Sequence, residues 1–208
     1  MSERNVTRVW GMRGIYFLSC ILLIFIHLLP LDMTLHSPMD PVGDPEWTWY
    51  NPLNVLPVAL NWIKHHWAGP DLIAALTFVW IMRRPDYVPV YLVALIGILS
   101  DFLFQRPPGL WAALLVSGAE LLRNRLVSAR DMSFLLEWFN VAIILLGMTV
   151  GYRIFLTMFF VDQVSLGLMI VQLATTLAVY PAVAAVSQWG YGVKRLTAAE
   201  VHSRGGWK

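Results

Sequence analysis

Four charged side chains stand in stretches that are otherwise almost wholly apolar: Asp71, Asp101, Arg106 and Arg153. Two carboxylates converging on a cavity could do acid-base chemistry, provided both come within hydrogen-bond reach of one reacting group. Alternatively, a buried pair of Asp101 with Arg106 or Arg153 would satisfy both partners and do no chemistry. Asp71 follows Pro70, where a carboxylate favours the positive end of a helix dipole. A second charged group comprises Glu120 and Glu137 with Arg83, Arg84, Arg123, Arg125 and Arg130. It reads as a belt of ion pairs that pins helix ends.

Other chemistries leave no trace. The sequence has no GxxxxGK[ST] phosphate loop, no HExxH and no GxSxG elbow. The five histidines, at 27, 36, 65, 66 and 202, do not share a helix face suited to a metal, and adjacent His65 and His66 point apart on a helix. Cys20 and His27, seven residues apart, read as a packed interior pair. With one cysteine, no internal disulfide is available. No catalytic group, cofactor or metal is expected.

The elements that position these residues must be membrane helices. Of the 208 residues, 58% are hydrophobic and 13% charged, against roughly 25% charged in soluble domains. Mean hydropathy is +0.61. A net charge of +2, scattered along the chain, excludes a nucleic-acid stripe. Six apolar runs approach the length of about 20 residues that crosses a bilayer: 15–31, 70–82, 87–104, 109–122, 134–161 and 164–189. The first follows Arg4, Arg8 and Arg13 like a signal peptide, yet it is too long and lacks a small-residue cleavage pattern, so a retained helix is expected. Trp67, Arg83 and Arg84, and Arg123 and Arg125, flank the two shortest runs and can snorkel.

Basic residues set the orientation. With the N-terminus inside, twelve of the fifteen Lys and Arg residues fall on the inner side, Lys64 and Arg106 outside, and Arg153 within the fifth span. The expectation is an all-α polytopic protein of the cytoplasmic membrane, one domain over 1–208, with six spans and both termini cytoplasmic. Asp71, Asp101, Arg106 and Arg153 then share the outer leaflet. The only long connection, 32–69, is outside and rich in Pro and Trp; it reads either as a surface helix over 53–67 or as an irregular loop broken by Pro57. Gly147 and Gly151 form a GxxxG, and Ala174, Ala178 and Ala182 repeat at four-residue spacing, patterns that suit internal packing or another membrane protein equally. Pro181 is expected to kink the sixth helix.

The order Pro70-Asp71 through Trp80, Arg83-Arg84-Pro85-Asp86-Tyr87, then Gly97-Ile-Leu-Ser-Asp101 and Arg106-Pro-Pro-Gly109-Leu110 resembles the bacterial rod shape-determining MreD family. The tight match covers roughly residues 70–126; hydropathy and span number cover the rest. The outer loop 32–69 is longer than in many relatives. The resemblance implies a non-enzymatic membrane component of the cell-elongation complex that builds peptidoglycan. It implies association with MreC, and through it with MreB filaments, RodA and a class B penicillin-binding protein. It also implies a fold similar to the six-helix substrate-binding component of energy-coupling-factor transporters. Carried over, Pro70 and Asp71 open the second helix, Asp101 anchors the turn to the fourth and Gly109 permits its tight geometry.

Two readings compete with that scaffold. A small-solute-binding transport subunit would need a polar pocket, whereas a scaffold needs an exposed apolar face. An intramembrane enzyme would need Asp71 and Asp101 to converge. Few polar residues fall at mid-span, among them Thr77, Ser117, Gln172, Thr175 and Thr176, which favours the scaffold.

Overall fold

A computed structural model describes residues 3–29, 69–128, 133–161, 163 and 165–193. These form six α-helices: α1 (Glu3–Leu28), α2 (Leu72–Arg83), α3 (Val90–Leu103), α4 (Leu110–Ser128), α5 (Phe134–Met158) and α6 (Leu166–Trp189). A single 3-10 turn, Pro85–Tyr87, links α2 to α3. Residues 30–68, with the expected surface helix or irregular loop, and the residues beyond 193 lie outside the described residues.

Prolines and caps set the boundaries. Asp71 is the N-cap of α2, accepting the Ala74 N–H at 2.9 Å, so the helix opens one residue later than its Pro-Asp start suggests. Arg84, preceding Pro85, leaves the helical region at φ −147°. Pro89 delays α3 to Val90, three residues after the expected start. In contrast, α1 begins twelve residues before its apolar stretch, because its arginine-bearing approach, without proline, continues the same helix. α3 and α5 close in the same way, with Gln105 and Phe160 at φ 54° and six-residue backbone bonds from Arg106 to Asp101 and from Val161 to Leu156. Ser133 and Ser165 cap α5 and α6.

Helix α2 is the centre. Nine consecutive residues, Ile73 through Ile81, are buried, and an all-round apolar helix belongs in an interior. Polar atoms in this core pair across helices: Tyr16 with Thr77 at 2.8 Å, Trp80 Nε1–H with Ser187 Oγ at 3.2 Å, and Tyr180 O–H with Glu137 at 2.9 Å. Gly97 lets α3 and α4 touch, since a Cβ there would lie 2.8 Å from the Ala112 Cα.

Interhelical contacts show strictly alternating helix directions. Arg13 of α1 donates to the Asp86 carbonyl; Arg83 at the end of α2 donates to the Val193 carbonyl beyond α6; Arg125 of α4 donates to Asn140 of α5. These define a basic end. At the opposite end, His27 of α1 meets Phe104 after α3, and the Asp71 N–H donates to Thr176 of α6.

Among the described residues, three helical stretches are long and apolar enough to cross a membrane: Thr7–Leu28, Phe134–Met158 and Leu166–Trp189. α2 and α3 are apolar but shorter, at 12 and 14 residues, or roughly 18 and 21 Å at about 1.5 Å per residue. Their outward faces are hydrocarbon: Leu18 and Phe25 on α1, Phe102 on α3, Leu135 and Ile154 on α5 and Ile170 on α6 are all exposed. Such a perimeter suits lipid, so the chain is an all-α membrane protein.

Candidate functional site

Asp101 organises the α3–α4 turn. Its carboxylate is fully buried, and Oδ2 accepts the N–H groups of Gly109 at 2.9 Å and Ala112 at 3.2 Å. Gly109 occupies the cap position of α4 at φ +87°, a left-handed backbone with no side chain of its own to cap the helix. Asp101 reaches across from α3 and does so instead. Pro107 and Pro108 bring no backbone donors into the turn. Oδ1 is buried without a hydrogen-bond partner.

Neither expected ion pair forms: no arginine lies within 4 Å of the Asp101 carboxylate. Oδ2 is spent on the α4 amides, and Oδ1 stays buried out of reach of both guanidinium groups. Arg106 lies over the rings of Phe104 and Trp111, 5.3 and 5.4 Å from their centroids. Nη1 of Arg153 approaches the Met169 sulfur at 3.9 Å, and Gln163 donates to the Arg153 carbonyl.

Both arginines, with Asp71, line a cavity of about 380 Å³ at the end opposite the basic one. α4 supplies Trp111, α5 supplies Thr149 and Tyr152, and α6 supplies Gln172 and Thr176, while Leu145, Leu156, Leu168, Met169 and Leu173 form an apolar wall. Trp111 and Tyr152 meet edge to face at 5.6 Å. A neighbouring void of about 10 Å³ shares Asp71, Arg106, Trp111 and Gln172, room for about one water. Asp101 lines neither space, so the two carboxylates do not meet on a common cavity.

At the basic end Glu120 pairs with Arg123, which also donates to the Val88 carbonyl. Glu137 is buried and accepts from Tyr180. The expected belt is thus partly made of arginine-to-carbonyl bonds, because the loop and helix-end carbonyls there lack helical partners. Arg130 lies outside the described residues.

The remaining candidates are structural or outward-facing. Pro70 is half-buried and its carbonyl accepts the Leu72 N–H. A Cβ on Gly147 would meet nothing within 4 Å, and on Gly151 only Leu114 at 3.5 Å, so this GxxxG makes no close internal crossing. Ala174, Ala178 and Ala182 are likewise exposed. Gly118, which no motif singled out, is tight instead: a Cβ there would lie 2.9 Å from the side chains of Ile144 and Met148. Cys20 is buried while His27 is exposed against Phe104, which corrects the interior pairing of those two residues. No group of three metal-ligating side chains occurs among the described residues.

Compared with family models, with curated proteins and with solved structures, the chain finds no match in any of the three. Its class therefore stands on its own residues: a helical membrane protein with one polar-lined cavity described between α4, α5 and α6.

Proposed function

We propose that the chain is a non-enzymatic, multi-pass scaffold of the bacterial cytoplasmic membrane, acting in the cell-elongation machinery as its likeness to the MreD family implies. Both termini are cytoplasmic in this reading, and all six helices cross, the short α2 and α3 being completed by their flanks. The partners are MreC and, through it, RodA, a class B penicillin-binding protein and MreB filaments.

One observation carries the reading. The residues of the resemblance do connected structural work: Asp71 caps α2, Gly97 brings α3 against α4, and Asp101 fastens Gly109 at the start of α4. Charges within a membrane domain are otherwise markers of chemistry or transport; here the most deeply buried one holds a turn. The wide apolar perimeter is the surface that partner helices or lipid would cover.

The test is crosslinking in native membranes through a C-terminal tag, with identification of what stays bound. MreC, with RodA and the transpeptidase in smaller amounts, is the expected recovery. Its absence would overturn the assignment. The cavity favours a second reading, a small-solute-binding subunit of an energy-coupling-factor-like transporter, for which the same experiment would recover an ATP-hydrolysing module.

A further inference from the structure

We propose that the slot between α5 and α6 holds one acyl chain of a membrane lipid, gripped by hydrocarbon side chains and taken whatever the charge of its headgroup. The space is the cavity of about 380 Å³, within the range of about 300–1,000 Å³ typical of ligand pockets.

Shape selects a chain. α5 lines the cavity with Leu145, Thr149, Tyr152 and Leu156, which recur at four- and three-residue spacing and so share one helix face. α6 answers with Met169, Leu173 and Thr176, again on one face. From Leu145 to Leu156 is roughly 16 Å of helix at about 1.5 Å per residue. The space therefore runs lengthwise between two neighbouring helices, which suits an extended chain better than a compact solute.

The wall selects hydrocarbon. Its hydroxyls are spent within the protein: Thr149 Oγ1 donates to the Leu145 carbonyl at 2.6 Å, and Thr176 Oγ1 donates to the Gln172 carbonyl at 2.6 Å while accepting the Asp71 N–H at 2.9 Å. Gln163 donates to Thr157 Oγ1 and to the Arg153 carbonyl, and the Asp71 carboxylate caps α2. What remains along the α5–α6 side is Leu145, Leu156, Leu168, Met169 and Leu173. Left empty, such a wall forfeits dispersion contacts that a hydrocarbon chain restores.

Membrane lipid is the neighbour at hand. On α5, Ile154 is 64% exposed while Leu156, which lines the slot, is 8% exposed; on α6, Ile170 is exposed beside slot-lining Met169. The same two helices carry hydrocarbon on their outer face and in the slot, so a chain from the surrounding bilayer is the occupant.

This goes beyond the scaffold reading and depends on no protein partner. Lipid retention is read on the isolated full chain and MreC recovery on native membranes, so each can fail alone.

The experiment is native mass spectrometry of the full-length protein after exchange from vesicles of equimolar phosphatidylcholine and phosphatidylglycerol with identical chains. The wild type is expected to retain one lipid per chain, with the two headgroups equally represented. Leu173→Trp and Met169→Trp fill the slot and should each lower retention about tenfold, the factor that corresponds to about 1.4 kcal/mol of lost contact, while Ile170→Trp on the outer face should not. A second arm needs only the wild type: phosphatidylcholine with a photoactivatable group in its acyl chain should mark Leu156, Met169 or Leu173 as well as the outward Ile154 and Ile170. Marking confined to the outward residues would overturn the proposal, and it decides the matter should the tryptophan variants fail to fold. A strong preference for phosphatidylglycerol, no retained lipid, or undiminished retention in both folded slot-filling variants would also overturn it.

Discussion

Removing the Asp101 carboxylate should destabilise the fold by an amount that depends on what replaces it. Asp101→Ala leaves the N–H groups of Gly109 and Ala112 in a buried site without an acceptor. Each hydrogen bond to a charged acceptor is worth about 1.5–3 kcal/mol, or roughly 3–6 kcal/mol for the two. The orphaned Oδ1 offsets part of this, since its own desolvation costs about 1–3 kcal/mol. The expected net loss is about 2–3 kcal/mol. Asp101→Asn keeps an acceptor for both amides and exchanges one unpartnered atom for another. It loses mainly the interaction of a negative charge with the α4 N-terminus, about 1 kcal/mol. For a chain of this size these losses correspond to Tm shifts of about 4–12 °C for Ala and about 2–4 °C for Asn, at about 2–4 °C per kcal/mol. Tryptophan fluorescence during thermal unfolding in a mild detergent measures both. Under the scaffold reading, the Asn variant also lowers protein level or MreC recovery without abolishing any turnover. Equal shifts for the two variants, or none, would refute the capping argument; normal abundance with normal MreC recovery would refute its connection to the scaffold.

Two glycines on outwardly similar helices should respond oppositely. Gly97→Ala forces a Cβ against Ala112 backbone and should cost about 1–3 kcal/mol by overpacking, whereas Gly147→Ala meets open space and should leave Tm unchanged or slightly raised, its effect, if any, appearing in crosslinking to a partner. Gln105→Gly removes the steric cost of a side chain at φ 54° and should raise stability by about 0.5–1 kcal/mol, with a lowered Tm counting against the assigned helix stop. Tyr180→Phe strips the buried Glu137 of its hydroxyl donor and should lower Tm by about 2–8 °C, the equivalent of about 1–2 kcal/mol.

Helix number and approximate placement were legible because hydropathy and proline are local signals. Leu72–Arg83 and Val90–Leu103 start and stop within a few residues of their apolar stretches, and each discrepancy traces to a proline or a cap. Which face of a helix is inside was not legible. The GxxxG at Gly147 and Gly151 suited internal packing or another membrane protein equally, and the close internal crossings fall at Gly97 and Gly118 instead. An apolar sequence gives no sidedness when lipid and protein interiors are equally apolar. The cavity was hidden for a related reason. Its polar groups come singly from separate elements, Trp111 from one helix, Tyr152 and Arg153 from another, Gln172 from a third. The scarcity of polar residues along any one span therefore argued against a pocket that assembly of several spans creates.

The arginines at the two ends are used differently, and this explains why the cavity lies where it does. At the basic end Arg13, Arg83 and Arg123 donate to the carbonyls of Asp86, Val193 and Val88. Those carbonyls belong to the α2–α3 link and to the chain just beyond α6, where backbone acceptors outnumber helical donors. The cations there are consumed by the chain's own ends. At the opposite end the turn between α3 and α4 contains two prolines, closes on itself through the Arg106 N–H to the Asp101 carbonyl, and has its remaining amides taken by the Asp101 carboxylate. Once that carboxylate is turned inward to the amides, the Arg106 side chain has no acceptor in its own turn. It is left stacked on aromatic rings at the edge of a space large enough to admit a ligand. The same choice by Asp101, amides over arginine, fastens the turn and leaves the Arg106 guanidinium stacked at the cavity edge.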